Sequence, residues 1–188
     1  MSGARTAHRV CALGWDSLHS VSSIEFVLVA VAAFALMEPV TAATHRWVMH
    51  GVGEWLHRSH HRASRTPGWE RNDWFPVVFA SIVMFGFWLG FNTDLTALVP
   101  VGIGVTLYGI AYALVHDGYI HRRLGVFGSR RMPTLDRLAD AHRIHHLYNA
   151  APYGMLAPIV PAELRERAAM TDRDPFAEVA RPVSTTTA

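Results

Sequence analysis

Ten of the twelve histidines in this sequence fall into four tight groups. His45 and His50 lie in HRWVMH, and His57, His60 and His61 in HRSHH. His116 and His121 lie in HDGYIH, and His142, His145 and His146 in HRIHH. His8 and His19 stand apart and read as ordinary hydrogen-bonded residues. Neutral imidazole is a common ligand for first-row metals. One ion has no use for ten imidazoles, whereas two ions in one cage do. The two HxxHH triplets have i, i+3, i+4 spacing, which puts three rings on one face of a helix. Each triplet is therefore expected to aim three ring nitrogens at roughly one point. Charged imidazoles packed this densely would repel one another unless a metal or carboxylates compensated.

The donor set narrows the metal. Cys11 is the only cysteine, so the chain offers neither an internal disulfide nor a thiolate site, and a metal must be held by nitrogen and oxygen. By softness, all-nitrogen sites suit zinc, iron or copper. A structural zinc takes four ligands and a hydrolytic zinc three protein ligands, so ten exceeds either need. A site beside apolar segments implies an apolar substrate. Oxidation of an unactivated C–H bond calls for oxygen activation by iron or copper, and zinc has no redox chemistry. Asn72, Asp73, Asp117 and Asp140 are the candidates for hydrogen-bonding the far ring nitrogens. Capping or surface solvation is the competing role for each. Glu38 interrupts an apolar run, where a carboxylate needs a partner. An arginine, a metal-bound histidine or the membrane edge would each provide one.

The elements that must position these residues are apolar. The 188-residue length suits one domain, 51% of residues are hydrophobic and 17% charged. Residues 22–44 are long enough to cross a bilayer, with Pro39 expected to kink or loosen the end. Residues 76–91 form a shorter apolar run, and 95–115 a full-length one. The NTD turn between them makes a helical hairpin, with Gly102, Gly104 and Gly109 allowing close helix contact and Pro100 bending the second arm. Residues 122–133 read as loop, 134–147 as a helix capped by Thr134, and 161–170 as a short polar helix. The expected organisation is an N-terminal extension over 1–21, a membrane domain over 22–170 and a flexible tail over 171–188. The extension lacks the features of a signal peptide. Most aromatic residues, Trp47, Trp55, Trp69, Trp74 and Trp88 among them, read as interfacial anchors or helix packing.

All seventeen basic residues are arginine, and the net charge is +2. The arginines flank apolar runs without forming one basic face, which speaks against a nucleic-acid partner. Arg46, Arg58, Arg62, Arg65 and Arg71 follow the first run, and Arg122, Arg123, Arg130, Arg131, Arg137 and Arg143 the last, while the NTD turn has none. The positive-inside rule puts both arginine-rich regions, and all four histidine groups, on the cytoplasmic side. Three crossings then place the N-terminus outside; a re-entrant hairpin over 76–91 is the alternative. The predicted fold is all-α: a membrane helical bundle with a cytoplasmic helical cap carrying a di-metal histidine site.

The succession THRWVMHG, WLHRSHH, ERNDWFPVVFA, YGIAYALVHDGYIHRR and AHRIHHLYN resembles the bacterial β-carotene hydroxylases. These are membrane di-iron enzymes of the fatty acid hydroxylase and sterol desaturase superfamily. The resemblance covers about residues 22–170 and departs in a shorter stretch between the last HxxHH and RER. It implies hydroxylation at carbon 3 of β-ionone rings, turning β-carotene through cryptoxanthin into zeaxanthin. It also implies two iron ions, molecular oxygen as co-substrate, and electrons from ferredoxin and its reductase. By motif match the ten clustered histidines would be the iron ligands. Competing readings are a hydroxylase, desaturase or ketolase of another lipid or carotenoid, a histidine-rich metal transporter, and a non-catalytic partner protein. Transport would place ligands inside the helices near the bilayer midplane, whereas these follow the apolar runs.

Overall fold

A computed structural model describes residues 22–62 and 69–176. His8, His19, Arg65, the N-terminal extension and residues 177–188 lie outside the described residues. Every regular element among those described is helical. In chain order they are α1 (Ser23–Thr44), a π-helical segment (His45–Val52), α2 (Glu54–His57), a 3-10 turn (Arg71–Asp73), α3 (Trp74–Asn92), α4 (Leu98–Ala113), a second π-helical segment (Leu114–Ile120), α5 (Pro133–Tyr148) and α6 (Ala162–Ala169). The chain divides into two compact units, one of residues up to 37 with 75–111, the other of 38–74 with residues from 112 onward.

The first unit is built from apolar helix. Three helical stretches, Ser23–Val52, Arg71–Asn92 and Leu98–Ile120, are long and apolar enough to cross a membrane, and they mark a membrane protein. The 76–91 run gains Trp74 and Phe75 at its start and Asn92 at its end, giving α3 19 residues, about 29 Å of helix. Ile24, Val27, Leu28, Ile82, Phe85, Trp88, Leu107 and Ile110 are all exposed, an arrangement suited to a solvent of lipid tails. Ser81 and Thr106 donate their hydroxyls to the carbonyls four residues earlier, so neither hydroxyl is bare.

Small residues set the contacts. A Cβ on Gly104 would collide with the Ala30 carbonyl oxygen on α1, and one on Gly102 would sit 2.8 Å from the Phe87 ring on α3. Gly90 meets Val99 in the same way across the hairpin. Gly109, expected to share this role, faces open space. Pro100 lies in the first turn of α4, where no carbonyl needs its missing N–H, so the bend foreseen there has no cause.

The second unit packs Val115, Tyr119, Ile120 and Met155 as its core, with Tyr112, Phe127, Leu135, Leu138, Leu156 and Phe176 around them. The start of α5 is fixed differently from the expectation. Met132, not Thr134, is the N-cap residue, with extended backbone, and Pro133 occupies the first helical position. The Tyr119 hydroxyl donates to Asp136 at 2.5 Å and accepts the Met132 N–H at 2.8 Å, pinning that end to the second π segment. Asn149, in the left-handed conformation with φ 51°, ends α5.

Candidate metal centre

All ten clustered histidines belong to the second unit, and the helical geometry explains how they meet. His45–His50 and His116–His121 are both five residues apart. On an α-helix, at about 100° per residue, such a pair diverges by about 140°. The first pair instead sits on a π-helical segment, and in the second His116 lies on one that His121 caps; hydrogen bonds there reach five residues back. The His121 N–H donates to the His116 carbonyl at 2.8 Å. The ring centroids consequently lie 5.0 Å apart in the first pair and 4.5 Å in the second. The repeated HxxxxH interval was the sequence signal for these π turns, and the helical reading passed over it.

The triplets do not aim at one point each; they are shared. His45, His50, His57, His61 and His145 form one group, and His60, His116, His121 and His142 another, with the ligand atoms in each group within 4.8 Å of one another. The first HxxHH therefore sends its outer pair to the five-histidine group and its middle residue to the four-histidine group. The second sends His142 to one and His145 to the other. His146 brings its Nε2 within 2.9 Å of His142 Nε2, and its ring stacks on His61 at 4.3 Å, where the two groups adjoin. A helix face is wide enough for i and i+3 side chains to serve neighbouring points, which the expectation of one focus overlooked.

Inside each group the nitrogens face one another. Nε2–Nε2 separations are 3.1 Å for His45–His57, 3.0 Å for His57–His61, 3.1 Å for His61–His145 and 3.2 Å for His50–His145. In the other group they are 3.0 Å for His60–His116 and 3.1 Å for His121–His142. Three of the rings have their protons assigned by neighbours. His45 Nδ1–H donates to the Tyr153 carbonyl at 3.0 Å, His57 Nδ1–H to Asn72 Oδ1 at 2.7 Å, and His145 Nδ1–H to the Ala150 carbonyl at 2.6 Å. Their Nε2 atoms then carry bare lone pairs, so the His45–His57 approach brings two acceptors together with no proton between them. Such an arrangement is repulsive unless a cation sits among the nitrogens. Ligands about 2.1 Å from one ion and at right angles are themselves about 3 Å apart. The histidine groups fit a metal site.

Burial keeps the rings neutral, the form a metal needs. Six of the ten are buried, and His145 is 0% exposed. Loss of solvent is the first cause of the depression in each case outside the helical spans. It lowers His57 to about 3, His60 to about 4 and His61 to about 2, with neighbouring imidazoles adding to it. His121, His142, His145 and His146 are depressed likewise.

The four polar candidates fare differently. Asn72 is buried and binds His57, and Asp117 Oδ1 lies 3.2 Å from His116 Nδ1. Asp73 turns instead to Arg123, from which both its oxygens accept at 2.8 Å. Asp140 is exposed on α5. Sequence reasoning missed Glu70, whose carboxylate faces His60 Nδ1 at 3.8 Å, and Arg123, which gathers Asp73 and Asp117 beside the four-histidine group. It also missed Phe176, whose ring lies 5.0 Å from those of His121 and His146 and nearly parallel to His142. Glu38 accepts backbone N–H bonds from Met155, Leu156 and Ala157 at 2.9–3.0 Å.

The chain is similar to known enzymes over most of this architecture. Residues 30–161 match the fatty acid hydroxylase family. A β-carotene hydroxylase of Pseudescherichia vulneris is 37% identical over 142 residues, covering 73% of this chain and 80% of that protein. One of Pantoea ananas is 41% identical over 110 residues, 58% of this chain and 62% of that protein. The chloroplastic β-carotene 3-hydroxylase of Haematococcus lacustris is 38% identical over 147 residues, 74% of this chain but 44% of that longer protein. No solved structure matches the chain.

Proposed function

Because the chain belongs to the fatty acid hydroxylase family, we propose that it is an oxygen-dependent carotenoid hydroxylase acting at carbon 3 of β-ionone rings. Its substrate is β-carotene and its product, through cryptoxanthin, is zeaxanthin. The observation that carries this reading is the pairing of two adjoining all-histidine groups with the similarity to β-carotene hydroxylases. The ten clustered histidines hold two iron ions, and iron, when bound, supplies the oxygen activation that an unactivated C–H bond requires. Electrons come from a ferredoxin-type donor and its reductase.

The chain's own residues do the rest. The Tyr153 and Ala150 carbonyls and Asn72 hold the Nδ1 protons of His45, His145 and His57, which fixes ring orientation and keeps each Nε2 free. Phe176 covers His121, His142 and His146 and keeps water from that side. The apolar helices dissolve the enzyme in the same phase as its substrate. The arginine distribution supports a site on the cytoplasmic side of the inner membrane.

Expression in cells that make β-carotene, followed by chromatography of the pigments, tests the proposal. Cryptoxanthin and zeaxanthin should appear, and only with oxygen. Unchanged β-carotene in the presence of stable, membrane-inserted protein would overturn it.

A further inference from the structure

Glu38 is a carboxylate in the second-last turn of an apolar helix, a costly place for it. Three consecutive backbone N–H groups converge on it: those of Met155 and Ala157 on Oε1, both at 2.9 Å, and that of Leu156 on Oε2 at 3.0 Å. Successive N–H groups pointing into one concavity form an anion nest, and hydrogen bonds to an ionised acceptor are about twice as strong as neutral ones. Gly154 closes the nest. A Cβ there would stand 2.5 Å from Glu38 Oε1, so any larger residue would push the carboxylate out of its present position.

The segment held this way is the one that orients two histidines. Just before the nest, the Ala150 carbonyl accepts from His145 Nδ1 and the Tyr153 carbonyl from His45 Nδ1. Both rings belong to the five-histidine group, and neither belongs to the other. These carbonyls sit in a stretch without regular structure, between the end of α5 at Tyr148 and the start of α6 at Ala162, so no helix or sheet fixes their direction. The stretch beyond them is held by Glu38 and by Met155 and Leu156 in the apolar core.

We propose that Glu38, with Gly154, is a positioning device for one of the two metal sites. It locks the 150–157 segment so that two backbone carbonyls hold His45 and His145 in the ligating tautomer and orientation. The four-histidine group receives no such support from this segment. The inference rests on the two-metal reading above, and its failure is separable from the failure of that reading.

The test is metal content and Co(II) absorption of full-length protein in detergent, for wild type, Glu38→Gln, Glu38→Ala, Gly154→Ala and, as a control on the same helix, Glu25→Gln. Wild type and Glu25→Gln should hold two equivalents. Glu38→Ala and Gly154→Ala should lose affinity at one site by about tenfold or more, keeping about one equivalent and one of two sets of Co(II) bands. Glu38→Gln retains an oxygen for two of the three N–H groups and should fall between. If Glu38→Ala does not fold, Glu38→Gln and Gly154→Ala carry the test. Wild type without metal would sink the two-metal reading. Wild type with two equivalents and variants with two unchanged sets of bands would sink this proposal alone, and so would parallel loss from both sites, which general destabilisation produces.

Discussion

Asn72 makes the contact that best isolates what a single side chain contributes. Its Oδ1 takes the Nδ1 proton of His57 at 2.7 Å and so leaves Nε2 to face His45 and His61. Asn72→Ala should weaken metal binding by about tenfold to a hundredfold, measured by competition with a chelator of known affinity. Asn72→Asp keeps an acceptor in place and should retain most of it. His60→Ala and His145→Ala remove one proposed ligand from each group, and each should abolish zeaxanthin in cells that make β-carotene. Unchanged pigment in either would contradict the assignment for that residue. The histidines were legible because imidazoles seldom cluster without cause, and Asn72 because it is a polar residue just ahead of an apolar helix. The carbonyls of Ala150 and Tyr153 were not, since every residue carries a carbonyl and side-chain identity says nothing of its direction. Glu70 and Arg123 were hidden for a related reason: their partners lie up to fifty-odd positions away in sequence, as in the Arg123–Asp73 pair.

At the scale of helices, apolar run length gave α1, α3 and α4 nearly to their ends, though not the longer spans that contain them, because hydropathy reports the solvent a segment must meet. It did not give the π turns. Those depend on a local extra residue, which a hydrophobic pattern of period 3.6 does not register. Nor did it say which glycines carry contacts, since that depends on rotation about each helix axis. The distinction is measurable. Gly104→Ala forces a methyl against the Ala30 backbone and should cost about 1–3 kcal/mol, seen as a lower melting temperature in detergent. Gly109→Ala meets nothing within 4 Å and should be neutral or mildly stabilising. Equal effects of the two would refute the packing described for α1 and α4. Tyr119→Phe removes both bonds that hold the start of α5 and should cost about 1–3 kcal/mol without removing a ligand.

For the whole molecule, the arginine pattern makes a claim about sidedness. A reporter inserted in the turn at Asn92–Asp94 should be active only outside the cytoplasm, and one fused after residue 188 only inside. The reverse pattern would move the histidine groups to the other face. On the proposed two-iron reading, a chelator should leave the apolar spans folded while removing oxygenase activity, and ferrous iron should restore it where zinc does not. The position of Phe176 bears on where the catalytic piece stops. The matched family region ends at 161 and contains all ten clustered histidines, yet an aromatic lid comes from fifteen residues further on. A chain cut back to 173 would keep all ten clustered histidines and still leave one flank of the proposed centre wet, so uncoupled oxygen consumption, and not loss of metal, is how such a truncation should announce itself.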